Sequence, residues 1–314
     1  MFQYDDLRDP KYYENVIPCS HFSRDCFLNV SDLRRIPFYR WISSQDRFYY
    51  SLYFQDEISL FERFLFTLGA RYDHYDDFGD NLSFRFSVIY SLAKDFYLKL
   101  LYGEGFRAPS FRELYLKSCP VLPRYGNPHL DAEKMRAYEL GLFFGKQSLE
   151  VALTLFYQRY EDLIFLVPDN FSNFVFQNSS DDASTYGLEF ELRFFWGAIK
   201  NNYLSFSYSY LDHGDVQGFY PTPYHVFSLN LNQYLFPGFF VNYHLFYLSD
   251  WKYGVDSYSI SDLVFHFLSP TWEFQFGIYN LFDKKYHYPD ISRFYPDNYV
   301  RPGRLFEFKV VYYF

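Results

Sequence analysis

Polar and apolar residues alternate one for one along most of the chain, the period of a β-strand whose two faces meet different surroundings. In 82–90, Leu82, Phe84, Phe86, Val88 and Tyr90 oppose Ser83, Arg85 and Ser87. In 149–157, Leu149, Val151, Leu153 and Leu155 oppose Glu150, Ala152 and Thr154. Leu188, Phe190, Leu192 and Phe194 alternate with Glu189, Glu191 and Arg193, and Leu204, Phe206, Tyr208 and Tyr210 with Ser205, Ser207 and Ser209. At the end of the sequence, Phe306, Phe308, Val310, Tyr312 and Phe314 oppose Glu307 and Lys309. The pattern predicts strands over 47–58, 63–72, 81–90, 95–105, 135–144, 151–166, 184–196, 203–211, 224–234, 239–248, 258–267, 272–281 and 304–314. Most of them approach the ~9–11 residues that cross a bilayer at a tilt.

The connections carry a second signal. Short links (LFER, SLAKD, GKQS, GAIKNN, LFPG, LSPT) alternate with longer ones at 73–80, 106–134, 167–183, 212–223, 249–257 and 282–303. Outer-membrane barrels have short periplasmic turns and long extracellular loops, an asymmetry that a soluble sandwich has no reason to keep. The expected fold is therefore all-β, an antiparallel transmembrane β-barrel in the cell outer membrane with a periplasmic C-terminus. Residues 47–314 form the barrel portion. Residues 1–46 are expected to be an extracellular loop with an incomplete strand before it.

Composition agrees. Forty-one Phe and 35 Tyr bring aromatics to 25%, yet mean hydropathy is −0.26. The rings are interleaved with Ser, Asn, Arg and Glu, as expected where one strand face meets lipid and the other water. No run approaches the ~18 apolar residues of a membrane helix, and the opening MFQYDDLRDPKYYENV has neither the basic nor the apolar region of a secretory signal. A net charge of −9 without a Lys/Arg tract argues against a nucleic-acid partner. Of the three cysteines, Cys19 and Cys26 are close enough to pair in an oxidising compartment, leaving Cys119 free; three free thiols fit equally well. No zinc spacing occurs, and neither a metal nor a cofactor is expected.

Four segments resemble the barrel of TonB-dependent receptors. They are YSLYFQDEISL (50–60) with FTLGARYD (66–73), YGEGFRAPSFRELY (102–115), GNPHLDAEKMRAYELGL (126–142), and IYNLFDKKYHYP (278–289) with RPGRLFEFKVVYYF (301–314). TYGLEFEL (185–192) agrees with a further strand, and the terminal Phe314 with an assembly signature. The resemblance implies a barrel of about 22 strands plugged by a separate domain, which takes up a scarce chelate with energy from an inner-membrane TonB-type complex. About thirteen or fourteen strands are countable here, with no plug and no energy-coupling box. The chain is thus expected to be the C-terminal part of such a barrel, a truncated product or half of a split receptor, since an open edge in lipid leaves backbone groups unsatisfied.

The ligand implied is a ferric siderophore, with cobalamin and haem next. Family haem receptors carry a histidine between FRAP (here Phe106–Pro109) and NPxL (Asn127–Leu130); 110–126 contains none, and His129 lies inside the second box. Candidate loop contacts are Arg107, Tyr115, Tyr125, His129 and Tyr220, although GFRAP, Asn127-Pro128 and NLFDKKY read equally as turn and strand-end architecture. The rival readings are a passive porin and a non-transporting barrel remnant. An enzyme is not expected: Gly-x-Ser-x-Gly is absent, and Ser257, Ser259 and His266 form no recognisable set.

Overall fold

A computed structural model describes residue 42 and residues 44–117, 124–169, 173–197, 202–214, 222–250, 255–288 and 299–314. Thirteen strands form one sheet in which every neighbouring pair is antiparallel. They are β1 (Tyr49–Leu60), β2 (Phe64–Tyr75), β3 (Gly79–Ala93), β4 (Phe96–Arg107), β6 (Glu133–Lys146), β7 (Leu149–Glu161), β10 (Ala183–Trp196), β11 (Asn202–Asp212), β12 (His225–Phe236), β13 (Phe239–Leu248), β14 (Tyr258–Leu268), β15 (Trp272–Tyr279) and β18 (Leu305–Tyr312). Each pairs with its sequence neighbour in the sheet, and β1 and β18 are the edges. Short elements lie in the long connections: α1 (Phe111–Tyr115), the three-stranded sheet of β5 (Arg124–Tyr125), β8 (Ile164–Pro168) and β9 (Phe174–Asn178), and the hairpin of β16 (His287–Tyr288) and β17 (Tyr299–Val300).

All thirteen expected strands are present in this sheet, with two corrections in detail. The segment 151–166 is broken where Asp162 turns to a left-handed φ of 58°, so β7 ends and β8 starts a separate sheet. The link expected over 73–80 shrinks to residues 76–78, because β2 and β3 stay paired as far as Tyr75 and Gly79. Elsewhere the asymmetry stands. Residues 94–95, 147–148 and 237–238 turn the chain at one end, whereas 108–132, 162–182, 213–224 and 280–304 connect the strands at the other. The 237–238 turn needs its glycine: Gly238 has φ 82°, and a Cβ there would lie 2.2 Å from the Leu268 carbonyl oxygen.

One face of the sheet is a continuous apolar surface. Cross-strand register aligns Leu100, Leu140, Leu155 and Leu188 in a row on adjacent strands. Leu52, Phe54, Phe84, Leu100, Leu155, Phe306 and Phe308 are more than a third exposed, which for a lipid-facing wall is the correct state rather than a defect. Directly above, Tyr102, Tyr138, Tyr157 and Tyr186 form a row of tyrosines. Beyond them lies a charged band. Arg136 reaches Glu161 at 2.6 Å and Glu104 at 3.7 Å, and Arg159 pairs with Asp182. The order apolar, aromatic, charged is that of a wall leaving hydrocarbon for the headgroup region. The opposite face carries Arg71, Ser83, Arg85, Ser207, Ser228, Asn230, His244, Asp262 and Lys309, the polar lining of a lumen. Among the described residues no helix is long and apolar enough to cross a membrane.

Candidate functional site

The site begins where β4 runs out. Arg107, paired with Glu133 across β4 and β6, donates from Nε to Glu133 Oε2 at 2.6 Å and from Nη2 to Oε1 at 2.7 Å. It also forks onto Glu113, with Nη1 at 2.9 Å from Oε2 and Nη2 at 3.1 Å from Oε1. Two bidentate carboxylates on one guanidinium use its donor geometry nearly in full. Glu133 Oε1 in turn accepts the Ile164 amide at 2.9 Å. A single side chain therefore ties β4, α1, β6 and β8 together.

α1 exists because of its start signal. Ser110 and Glu113 form a capping box: the Ser110 hydroxyl accepts the Glu113 amide, while Glu113 accepts the Ser110 amide at 2.7 Å. Burial pushes the Glu113 carboxyl up, but the Arg107 fork and the Ser110 amide and hydroxyl outweigh it and hold the group below the ordinary carboxylate range. The helix is a single turn, and its free carbonyls are taken by the chain that returns after 123. Gly126 donates to Leu116 O and Asn127 to Glu113 O, both at 2.8 Å. Only glycine fits at 126, since a Cβ would lie 2.5 Å from the Leu116 nitrogen.

Under this turn sits a small core of its own. Leu114, Leu116, Leu130, Ile164 and Phe176 are buried against one another, with Ile42, Tyr115 and Leu166 packed around them. β9 pairs with β5 in parallel and with β8 in antiparallel register, so two long connections fuse into one platform. Arg47 fastens its edge by donating to Asp77 Oδ2 at 2.8 Å and to Pro109 O at 2.7 Å, its guanidinium lying 4.8 Å from the Phe111 ring centroid.

The residues singled out in the sequence fall into different roles here. Arg107 is engaged inside the platform. Tyr115 packs beside the core, and burial pushes its hydroxyl pKa up. Tyr125 and His129 stand exposed on the platform surface, His129 in a turn where its amide donates to Asn127 Oδ1 at 3.0 Å. Tyr220, Cys19 and Cys26 lie outside the described residues. Glu113, Glu133 and Arg47 were missed. The Ser110-x-x-Glu113 spacing signals the capping box, whereas the Arg47 and Glu133 contacts join residues too distant for any local motif to reveal. Among the described residues no group of His, Cys, Asp and Glu could hold a metal ion. The platform can thus offer a soluble ligand rings, an imidazole and backbone groups on a rigid base.

Comparisons with known proteins agree with this geometry. The family model for the TonB dependent receptor-like β-barrel matches residues 2–281. An iron-regulated outer membrane virulence protein of Vibrio cholerae is 28% identical over 286 residues, 81% of this chain and 43% of that protein. A vitamin B12 transporter of Photobacterium profundum is 30% identical over 154 residues, 48% of this chain and 24% of that protein. Among solved structures, the siderophore receptor PirA of Acinetobacter baumannii superposes with a TM-score of 0.71 at 18% identity, covering 85% of this chain and 46% of that one. A ferric enterobactin receptor of Pseudomonas aeruginosa gives 0.71 at 22%, covering 85% and 45%. The chain spans less than half the length of each of these relatives.

Proposed function

Since the chain belongs to the TonB-dependent receptor β-barrel family, we propose that it forms the wall and outer loops of a receptor that takes up a scarce metal chelate, a ferric siderophore ahead of cobalamin or haem. The long connections face the outside of the cell and the end of β18 faces the periplasm. Active uptake on this reading also needs a plug and an energy-coupling inner-membrane complex of the TonB type. The family consists of receptors and transporters, and the principal activity is carriage rather than catalysis.

The observation that carries the proposal is the platform. Loops serving only to close a barrel have no need of a capping box, a private core and a doubly bidentate arginine. An ordered surface at the mouth of a polar lumen is what selective capture from dilute solution requires. Tyr125 and His129, and Tyr220 beyond the described residues, are the proposed contacts. A Cys19–Cys26 bridge is proposed for the preceding loop.

The test is titration of the purified protein in detergent with a ferric catecholate, followed by intrinsic fluorescence. Saturable quenching that cyanocobalamin does not compete supports the siderophore reading. Saturation by cyanocobalamin alone transfers the assignment to the second reading, which the local similarity to a vitamin B12 transporter favours. Saturation by neither, together with ohmic conductance in planar bilayers, identifies a passive pore.

A further inference from the structure

Three residues on the polar wall, none within a shared motif, meet in the order of a charge-handling relay. Ser228 on β12 places its Oγ 3.1 Å from Nε2 of His244 on β13. The other ring nitrogen, Nδ1, lies 3.4 Å from Oδ2 of Asp262 on β14. Asp262 is fixed from behind, its Oδ1 accepting the Asn280 amide at 2.8 Å. Asn280 is itself locked, its side chain accepting the Lys284 amide at 2.8 Å and donating to the Lys284 carbonyl at 2.9 Å. Asn230, two residues along β12 on the same face, directs Nδ2 toward Ser228 Oγ at 3.5 Å.

We infer that Ser228, His244 and Asp262 form an acyl-transfer site of the serine-hydrolase type on the lumen face, acting on carboxylic esters. Such sites are recognised by geometry and roles, not by sequence order or fold. A nucleophile and base within about 2.6–3.2 Å, with the base oriented by a third group, is the diagnostic arrangement. Here the serine–histidine distance falls inside that range. The histidine–carboxylate contact is longer, as is common before substrate tightens a site.

Register sets His244 opposite both Asn230 and Asp262, so the carboxylate contact runs directly across the strands and the serine contact diagonally. Both side chains are partly exposed on the lumen face, His244 keeping 32% of its surface and Asp262 22%. All three residues lie within four positions of the strand ends that meet the long connections, roughly 10–13 Å down the wall.

The chemistry balances with water as the only co-reactant. Ser228 Oγ bonds to the ester carbonyl carbon as its proton passes to His244 Nε2, and the oxyanion forms on the side of the serine where Asn230 Nδ2 lies 3.5 Å from Oγ. The carbon–alkoxy bond then breaks, and the alcohol leaves with the proton from Nε2. Water attacks the acyl-serine, giving a proton to His244; the acyl–Oγ bond breaks, Oγ recovers that proton, and a carboxylic acid departs. Asp262 is a positioning residue that holds the ring in the tautomer presenting a bare Nε2 to serine.

The experiment uses the whole protein in outer-membrane vesicles and in detergent, with a fluorophosphonate probe read by mass and p-nitrophenyl acetate read by colour. The expected result is one probe adduct, on Ser228, absent in Ser228→Ala and formed on the order of 10²-fold more slowly in His244→Ala. Asp262→Asn is expected to lower kcat for the ester with KM unchanged. Heat-modifiable gel mobility confirms that each variant is a folded barrel. A folded wild-type protein that takes no label, or labelling and turnover that persist in Ser228→Ala or at equal rate in His244→Ala, overturns the assignment.

Discussion

Replacing Arg107 by alanine tests whether the platform is held as described. The change removes four hydrogen bonds and leaves Glu113 and Glu133, whose side chains are only 15% and 17% exposed, facing each other without a cation. A hydrogen bond to a charged group contributes about 1.5–3 kcal/mol when sheltered. Arg107 itself is 46% exposed, so solvent screening reduces each carboxylate's share to about 1 kcal/mol. The loss is then about 2 kcal/mol, confined to the platform because the sheet below has its own ladders, and a 2 kcal/mol loss multiplies local opening roughly 30-fold. Hydrogen exchange at the amides of Leu114, Leu116, Gly126 and Asn127 reads this directly, since all four are bonded within the turn. These amides are expected to exchange about 30-fold faster, with β10–β13 unchanged. Arg107→Lys, which keeps the charge but not the fork, falls between. Exchange within about threefold of the wild type at all four sites would refute the clamp.

Leu114→Ala, at a side chain 1% exposed, is expected to cost the platform about 2–4 kcal/mol and to open 108–132 to protease while gel mobility of the barrel is retained. Gly126→Ala pushes a methyl into the Leu114–Leu116 backbone, and ligand affinity should fall with the loop amides losing protection together. The Glu113 carboxyl is held low in the folded protein, so its contribution is complete above its unfolded value and is lost as pH falls through the folded one. Platform protection, corrected for intrinsic exchange, should therefore decline below about pH 4. Leu155→Arg puts a cation into the apolar face and should destabilise the barrel by about 2–4 kcal/mol in denaturant titrations in lipid, whereas Thr154→Arg on the polar face should change little.

The strands were legible because alternation needs only the chain itself. The reading 239–248 coincides with β13, and 203–211 misses Asn202 and Asp212 alone, whose side chains cap the strand ends. The strand expected over 151–166 ran too long because LIFL (163–166) is as apolar as what precedes Asp162, and nothing local announces the reversal there. β5 and β9 were invisible for a different reason: Arg124 finds Phe174 across fifty residues, and elements of two and five residues leave little period to detect. The same limit hid the Ser228–His244–Asp262 relay, which depends on the registers of β12 with β13 and β13 with β14. His266 and Ser259, nearer to hand in the sequence, are not part of it.

The tyrosine row has a geometric consequence. Strands in such barrels lean by about 35–45°, so a row that follows cross-strand pairing cannot stay level; it drifts by roughly 3 Å in height per strand. Tyr102, Tyr138, Tyr157 and Tyr186 follow the pairing over four strands. At β11 the pattern slips: Tyr186 faces Asp212, and the next ring, Tyr210, stands opposite Leu188. The slip is two residues, because a shift of one would turn the ring into the lumen. The aromatic girdle is therefore a staircase, and the frequency of its treads records the lean of the wall. A change in strand number or tilt would require the tyrosines to be redistributed, even if every hydrogen bond in the sheet were kept.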